Sequence, residues 1–187
     1  TEIKTETPWH VDMLIEEIRT AKFGGLRDDI SQAQEDIKAT AYHEAGHLVA
    51  HKLLFPKVKV EFASVQPRGA ALGMIVPGEN SSTGSVNKRS IKNHLQVLLA
   101  GLATERLQGF VGDNSLSGAS DDRLKATNLA KRAITDWGMS EQFDLAIPSQ
   151  LTITPSDITT EVNSWLSEAF DAVTGLLKEN TKLLTVV

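Results

Sequence analysis

Apolar positions in this chain recur mostly every three or four residues, a spacing that predicts helices. Thr7-Pro8 opens the first, with proline where its missing N–H costs nothing; Val11, Leu14, Ile15 and Ile18 form its stripe, and Gly24-Gly25 stop it. Ser31 and Gln34 stand at capping-box spacing and start a long helix that Pro56 ends. The period then changes. Val58, Val60 and Phe62 alternate with polar residues, Pro67-Arg68-Gly69 supplies a turn, and Ala70 to Val76 can run extended, so two or three short strands are predicted. A Ser- and Gly-rich loop spans Glu79 to Gly84. Helical spacing returns from Asn87 to Gln108 and again from Ser120 or Asp121 to Trp137, where Gly138 ends it; a Gly/Asn/Ser loop separates the two. Thr154-Pro155 opens a last amphipathic helix carrying Ile158, Val162, Trp165, Leu166, Ala169 and Val173. The expected fold is mainly α and multihelical, with a small two- or three-stranded β element beside the second helix.

Composition narrows the possible chemistry. With 187 residues, 41% of them hydrophobic, the chain can bury one core, or one core plus a small appendage. The net charge of −5 and the lack of a long basic run argue against nucleic acid as a partner. Cysteine is absent, which excludes disulfides and thiolate metal sites, so histidines and carboxylates must hold any metal. No apolar run approaches the roughly 20 residues of a membrane span, and no signal-peptide pattern opens the chain. Starting on Thr1, it reads as a piece of something longer, with any membrane anchor outside it.

The second helix carries the chemistry, in the run His43-Glu44-Ala45-Gly46-His47. Helical residues four apart lie roughly 40° apart in projection and one turn along the axis. Both imidazoles can therefore reach one tetrahedral zinc ion, and the intervening Glu44 is left beside the open coordination position. Catalytic zinc usually takes a third protein ligand. His51 continues the spacing, but eight residues along a helix rise about 12 Å, too far for a shared ion. A metzincin-type third histidine is absent, since Leu53 stands there. His10 and His94 read as surface or capping histidines.

Carboxylates remain. On a helical wheel Asp122 shares an arc of roughly 80° with Ala126, Leu129, Ala133 and Trp137, whereas Asp121 points about 100° away with Asn128 and Arg132. Asp122 thus faces the core, where a charge needs compensation that a metal supplies. Glu105 also points inward, on the face of Ile91, Leu95, Leu98 and Leu102. It fits a thermolysin-like third ligand, a supporting acceptor for a zinc-bound histidine, or half of an ion pair with Arg106 or Arg123. Spacing alone leaves these open.

Several separated motifs resemble the FtsH family of ATP-dependent zinc metalloproteases, over its peptidase domain. They are Tyr42 to His47, Pro67-Arg68-Gly69 with Ala71 to Met74, Leu98 to Glu105, Ser117 to Asp122, Ala126 to Ala130, and Trp137 to Glu141. The resemblance implies Zn2+ on His43, His47 and Asp122, Glu44 as catalytic base, and Glu105 in a supporting role. It further implies that residues 1–30 end an ATPase lid and that 31–187 form the zinc-peptidase domain. The implied substrates are unfolded proteins, delivered by an AAA-type ATPase domain of the same parent chain in a homo-hexamer. The implied place is the cytoplasmic face of a membrane, or the equivalent organelle interior. Two segments depart from the family pattern: Gly101-Leu102-Ala103-Thr104-Glu105-Arg106, and Ser120-Asp121-Asp122. Neither removes a matched ligand.

In zinc proteases generally the substrate lies extended along a sheet edge beside the motif helix. Here the strand with Leu72, Gly73 and Met74 is the candidate, with core packing as the plain alternative. Two rival functions stay open: a stand-alone thermolysin-like peptidase using Glu105 as third ligand, and an inert assembly module of the same fold.

Overall fold

The computed structural model describes residues 11–26, 34–64, 74–77, 86–142 and 155–184. Helix dominates, as the apolar spacing predicts. The element order is α1 (Val11–Phe23), α2 (Gln34–Leu54), β1 (Val60–Ser64), β2 (Met74–Pro77), α3 (Lys88–Leu107), α4 (Ser120–Thr135), α5 (Pro155–Glu179) and α6 (Thr181–Leu184). The predicted openings at Thr7-Pro8 and Ser31, the turn at Pro67 to Gly69 and the loop at Glu79 to Gly84 lie outside the described residues. Among the described residues there are two strands, β1 and β2, paired antiparallel with Phe62 opposite Val76 and Ser64 opposite Met74.

α3 is the central element and packs against α2, α4 and α5. Its start is fixed locally: the Asn87 side chain accepts the Ser90 N–H at 2.9 Å, satisfying one of the donors that a helix start leaves free. Its end is fixed by Gly109 at φ 93°, which returns the Gly109 N–H to Arg106 O and the Phe110 N–H to Glu105 O. Between these caps, Ile91, Leu95, Leu99, Ala100 and Ala103 enter one core with Ala45, Val49 and Ala50 of α2, Ala126, Ala130, Ala133 and Ile134 of α4, and Val162, Trp165, Ala169, Val173 and Leu177 of α5. The run of alanines on α2, α3 and α4 lets these three helices approach closely, and that proximity brings their polar side chains together.

Two expectations change. α4 ends at Thr135, so Trp137 is not on its inward face; it is 40% exposed, under the Arg132 guanidinium at 5.0 Å. Gly138, at φ 62°, turns the chain so that the Met139 N–H reaches Ala133 O, which stops the helix early. The short α6 follows α5 across Asn180, a break that the apolar spacing does not mark. α1 packs on no other described element.

Candidate metal centre

α2 and α3 cross at close range, and the glycines explain how. A Cβ on Gly46 would lie 2.6 Å from Ala100 O, and one on Gly101 would lie 2.4–2.6 Å from three ring atoms of His43. With no side chains there, the imidazoles of α2 lie directly on α3. His43 is buried, and its Nδ1–H donates to Glu105 Oε1 at 2.7 Å. His47 donates its Nδ1–H to the Val97 carbonyl at 2.7 Å. Because a carbonyl can only accept, the proton of His47 sits on Nδ1, and a neutral ring leaves the Nε2 lone pair free.

The two Nε2 atoms meet a carboxylate oxygen. Asp122 Oδ2 lies 3.0 Å from His43 Nε2 and 3.0 Å from His47 Nε2, and the two nitrogens are 3.0 Å apart. Asp122 stands in the first turn of α4, partly buried, while Asp121 turns outward to Lys125 at 2.5 Å. The inward and outward directions are those of the wheel. Three electron-pair donors on a triangle of 3.0 Å edges repel one another unless a cation lies between them. Tetrahedral bonds of ~2.0–2.1 Å would set the edges at about 3.3 Å, close to what is seen. His43, His47 and Asp122 are the one group of three among the described residues whose donor atoms converge for a metal ion. Oxygen and nitrogen donors in this number suit zinc.

The electrostatics agree. Burial disfavours a charged His43, yet its hydrogen bonds to Asp122 and Glu105 prevail and raise its pKa to about 9. Without an ion, a proton on this ring does the cation's work. Burial likewise disfavours an ionised Asp122, but the adjoining His43 and His47 rings hold it well below the usual carboxylate range. Glu44, between the histidines on α2, is raised by burial, and the charges of His47 and His43 only partly oppose this.

Glu105 is almost fully buried and faces the Nδ1 side of His43, across the ring from the converging atoms. His51 lies apart, buried against Phe55 with ring centroids 5.6 Å distant. His94 is exposed and bonds Ser90 O at 2.8 Å within α3. His10, Leu72 and Gly73 lie outside the described residues; Met74 opens β2, at the end of its pairing with β1. Sequence reasoning missed the Val97 carbonyl, since a main-chain acceptor leaves no trace in residue identity. It also missed Gly101, although an isolated glycine inside a helical pattern was the available signal.

The family model of peptidase family M41 matches residues 30–187. The chain belongs to peptidase family M41. It is 34% identical over 166 residues to the chloroplastic/mitochondrial ATP-dependent zinc metalloprotease FTSH 11 of Arabidopsis thaliana, covering 86% of this chain and 20% of that protein. The ATP-dependent zinc metalloprotease FtsH of Neorickettsia risticii is 33% identical over 163 residues, covering 86% of this chain and 26% of its own length. That of Thermus thermophilus is 37% identical over 120 residues, covering 64% and 19%. The chain thus spans about a fifth to a quarter of the length of these curated relatives. No described helix of this family member is long and apolar enough to cross a membrane.

Proposed function

We propose that this chain is the zinc-dependent endopeptidase portion of a larger ATP-driven protease. The observation that carries the reading is the triangle of His43 Nε2, His47 Nε2 and Asp122 Oδ2, three donor atoms brought together while Glu105 and the Val97 carbonyl engage the opposite nitrogens of the two rings. These residues would hold zinc, which supplies a Lewis acid that acidifies water and polarises a peptide carbonyl.

The chain's own residues do the rest. Glu44 takes the proton of the attacking water and passes it to the leaving amine, a task helped by the burial that raises its proton affinity. Glu105 and the Val97 carbonyl hold the two rings in the tautomer that directs both Nε2 atoms inward. The position of Glu105 behind His43 supports Asp122 as third ligand over the thermolysin-like alternative.

Unfolded polypeptide is the substrate class, pairing in extended form along the segment that includes Leu72, Gly73 and Met74. Delivery falls to an AAA-type ATPase domain of the same parent chain, in a homo-hexamer at the cytoplasmic face of a membrane or in the equivalent organelle interior. Residues 1–30 are assigned to the end of the ATPase lid. Names of the relatives, ATP-dependent zinc metalloproteases, support the pairing with an ATPase.

Glu44→Gln tests the assignment. Zinc content is expected to stay at one per chain while cleavage of an unfolded protein by the complete assembly falls by roughly 100- to 10,000-fold. Undiminished cleavage would show that Glu44 is not the base.

A further inference from the structure

His43 owes its position to α3 rather than to its own helix. Its ring lies against the bare Cα of Gly101, where a Cβ would stand 2.4 Å from Cε1, 2.5 Å from Nε2 and 2.6 Å from Nδ1. One turn further along α3, Glu105 Oε1 accepts the hydrogen bond of His43 Nδ1–H at 2.7 Å. One turn before, the Val97 carbonyl accepts that of His47 Nδ1–H at 2.7 Å. Val97, Gly101 and Glu105 are spaced four apart, so they form one ridge on α3. That ridge sets both imidazoles. We infer that Gly101 is a positioning residue for metal binding: its missing side chain fixes the plane in which His43 presents Nε2.

The inference rests on the zinc reading above, and a second glycine provides the contrast. Gly46 faces the Thr104 hydroxyl, where a Cβ would lie 2.1 Å away, and the Ala100 carbonyl, at 2.6 Å. The carbonyl belongs to the backbone and cannot step aside, so a side chain at 46 must force the two helices apart. The group facing Gly101 is the end of a side chain, which can rotate away. A methyl at 101 therefore disturbs the ring and spares the crossing. Alanine is also the better helix former at an interior position.

The test compares wild type, Gly101→Ala, Gly46→Ala and His43→Ala in the full chain. Zinc affinity is measured by chelator competition, the cobalt-substituted absorption spectrum is recorded, and thermal melting is followed in the metal-free state. Without metal, Gly101→Ala is expected to melt no lower than His43→Ala and clearly above Gly46→Ala, since at most the His43 contacts are lost; it is expected to bind zinc at least ~10-fold more weakly and to show an altered cobalt spectrum. Gly46→Ala is expected to lower the metal-free melting temperature clearly. In the His43→Ala background the collision is gone, so adding Gly101→Ala should raise the melting temperature.

Zinc affinity and cobalt spectrum unchanged in Gly101→Ala overturn the inference. So does a metal-free melting loss matching that of Gly46→Ala, or failure to fold, since both would make the glycine a packing residue. A wild type that takes up no stoichiometric zinc overturns the ligand assignment, and this inference with it.

Discussion

His43 and His51 lie eight residues apart on α2, are buried to nearly the same degree at 8% and 7% exposure, and yet sit in opposite electrostatic settings. Around His43, carboxylates from α3 and α4 converge, and the ring is pushed towards the charged form. Around His51 there is Phe55, and among the described residues its Nδ1 has no hydrogen-bond partner. Burial, followed by the charges of His94 and Lys52, lowers its pKa. Residue type, helix and burial are shared; the difference lies in what the neighbouring helices bring. A histidine on this scaffold joins the converging group of donor atoms only where α3 and α4 place acceptors around it.

The comparison breaks most completely if α4's contribution is removed. Asp122→Ala takes away the third donor, and zinc affinity in equilibrium dialysis is expected to fall by more than about 100-fold, beyond the effect of losing a supporting partner. If zinc binding survives Asp122→Ala but not Glu105→Gln, the ligand roles of the two carboxylates must be exchanged. With the roles as assigned, Glu105→Gln keeps the acceptor oxygen but loses the charge, and should weaken zinc by roughly 10- to 100-fold.

Smaller effects separate the two histidines by pH. For the metal-free protein, His43 has a folded pKa of about 9 against an ordinary 6.5. Its contribution to stability is full below pH 6.5 and is lost as pH rises towards 9. His51 is lowered, so the unfolded chain takes up its proton first, and stability is lost as pH falls below 6.5. Melting curves across this range should therefore lose their alkaline decline in His43→Ala and soften their acidic decline in His51→Leu. The smallest change is the metal affinity of His51→Leu, expected within about twofold of wild type, since this residue lies outside the donor triangle.

Much of this arrangement was legible in the sequence, for identifiable reasons. Helical spacing located α2, α3, α4 and α5, since each buries one apolar stripe. The wheel separated Asp122 from Asp121, since the alanines flanking the inward direction line a tight helix contact. What escaped depends on tertiary proximity. Residue identities could not tell whether Glu105 would join the converging donor atoms or face the back of His43, because that choice turns on the α2–α3 spacing set by Gly46 and Gly101. The early stop of α4 escaped as well, because a left-handed glycine can end a helix several residues before its own position.

The positions of the donors along the chain have a mechanical consequence. His43 and Asp122 are 79 residues apart, and α3 lies between them in the chain. An ion bound to both would clip a long loop shut, much as a crosslink does, and would draw its strength partly from the freedom denied to the unfolded chain. Loading with metal should then slow the departure of α4 from the bundle, so that amide exchange along 120–135 reports occupancy more sensitively than exchange within α5.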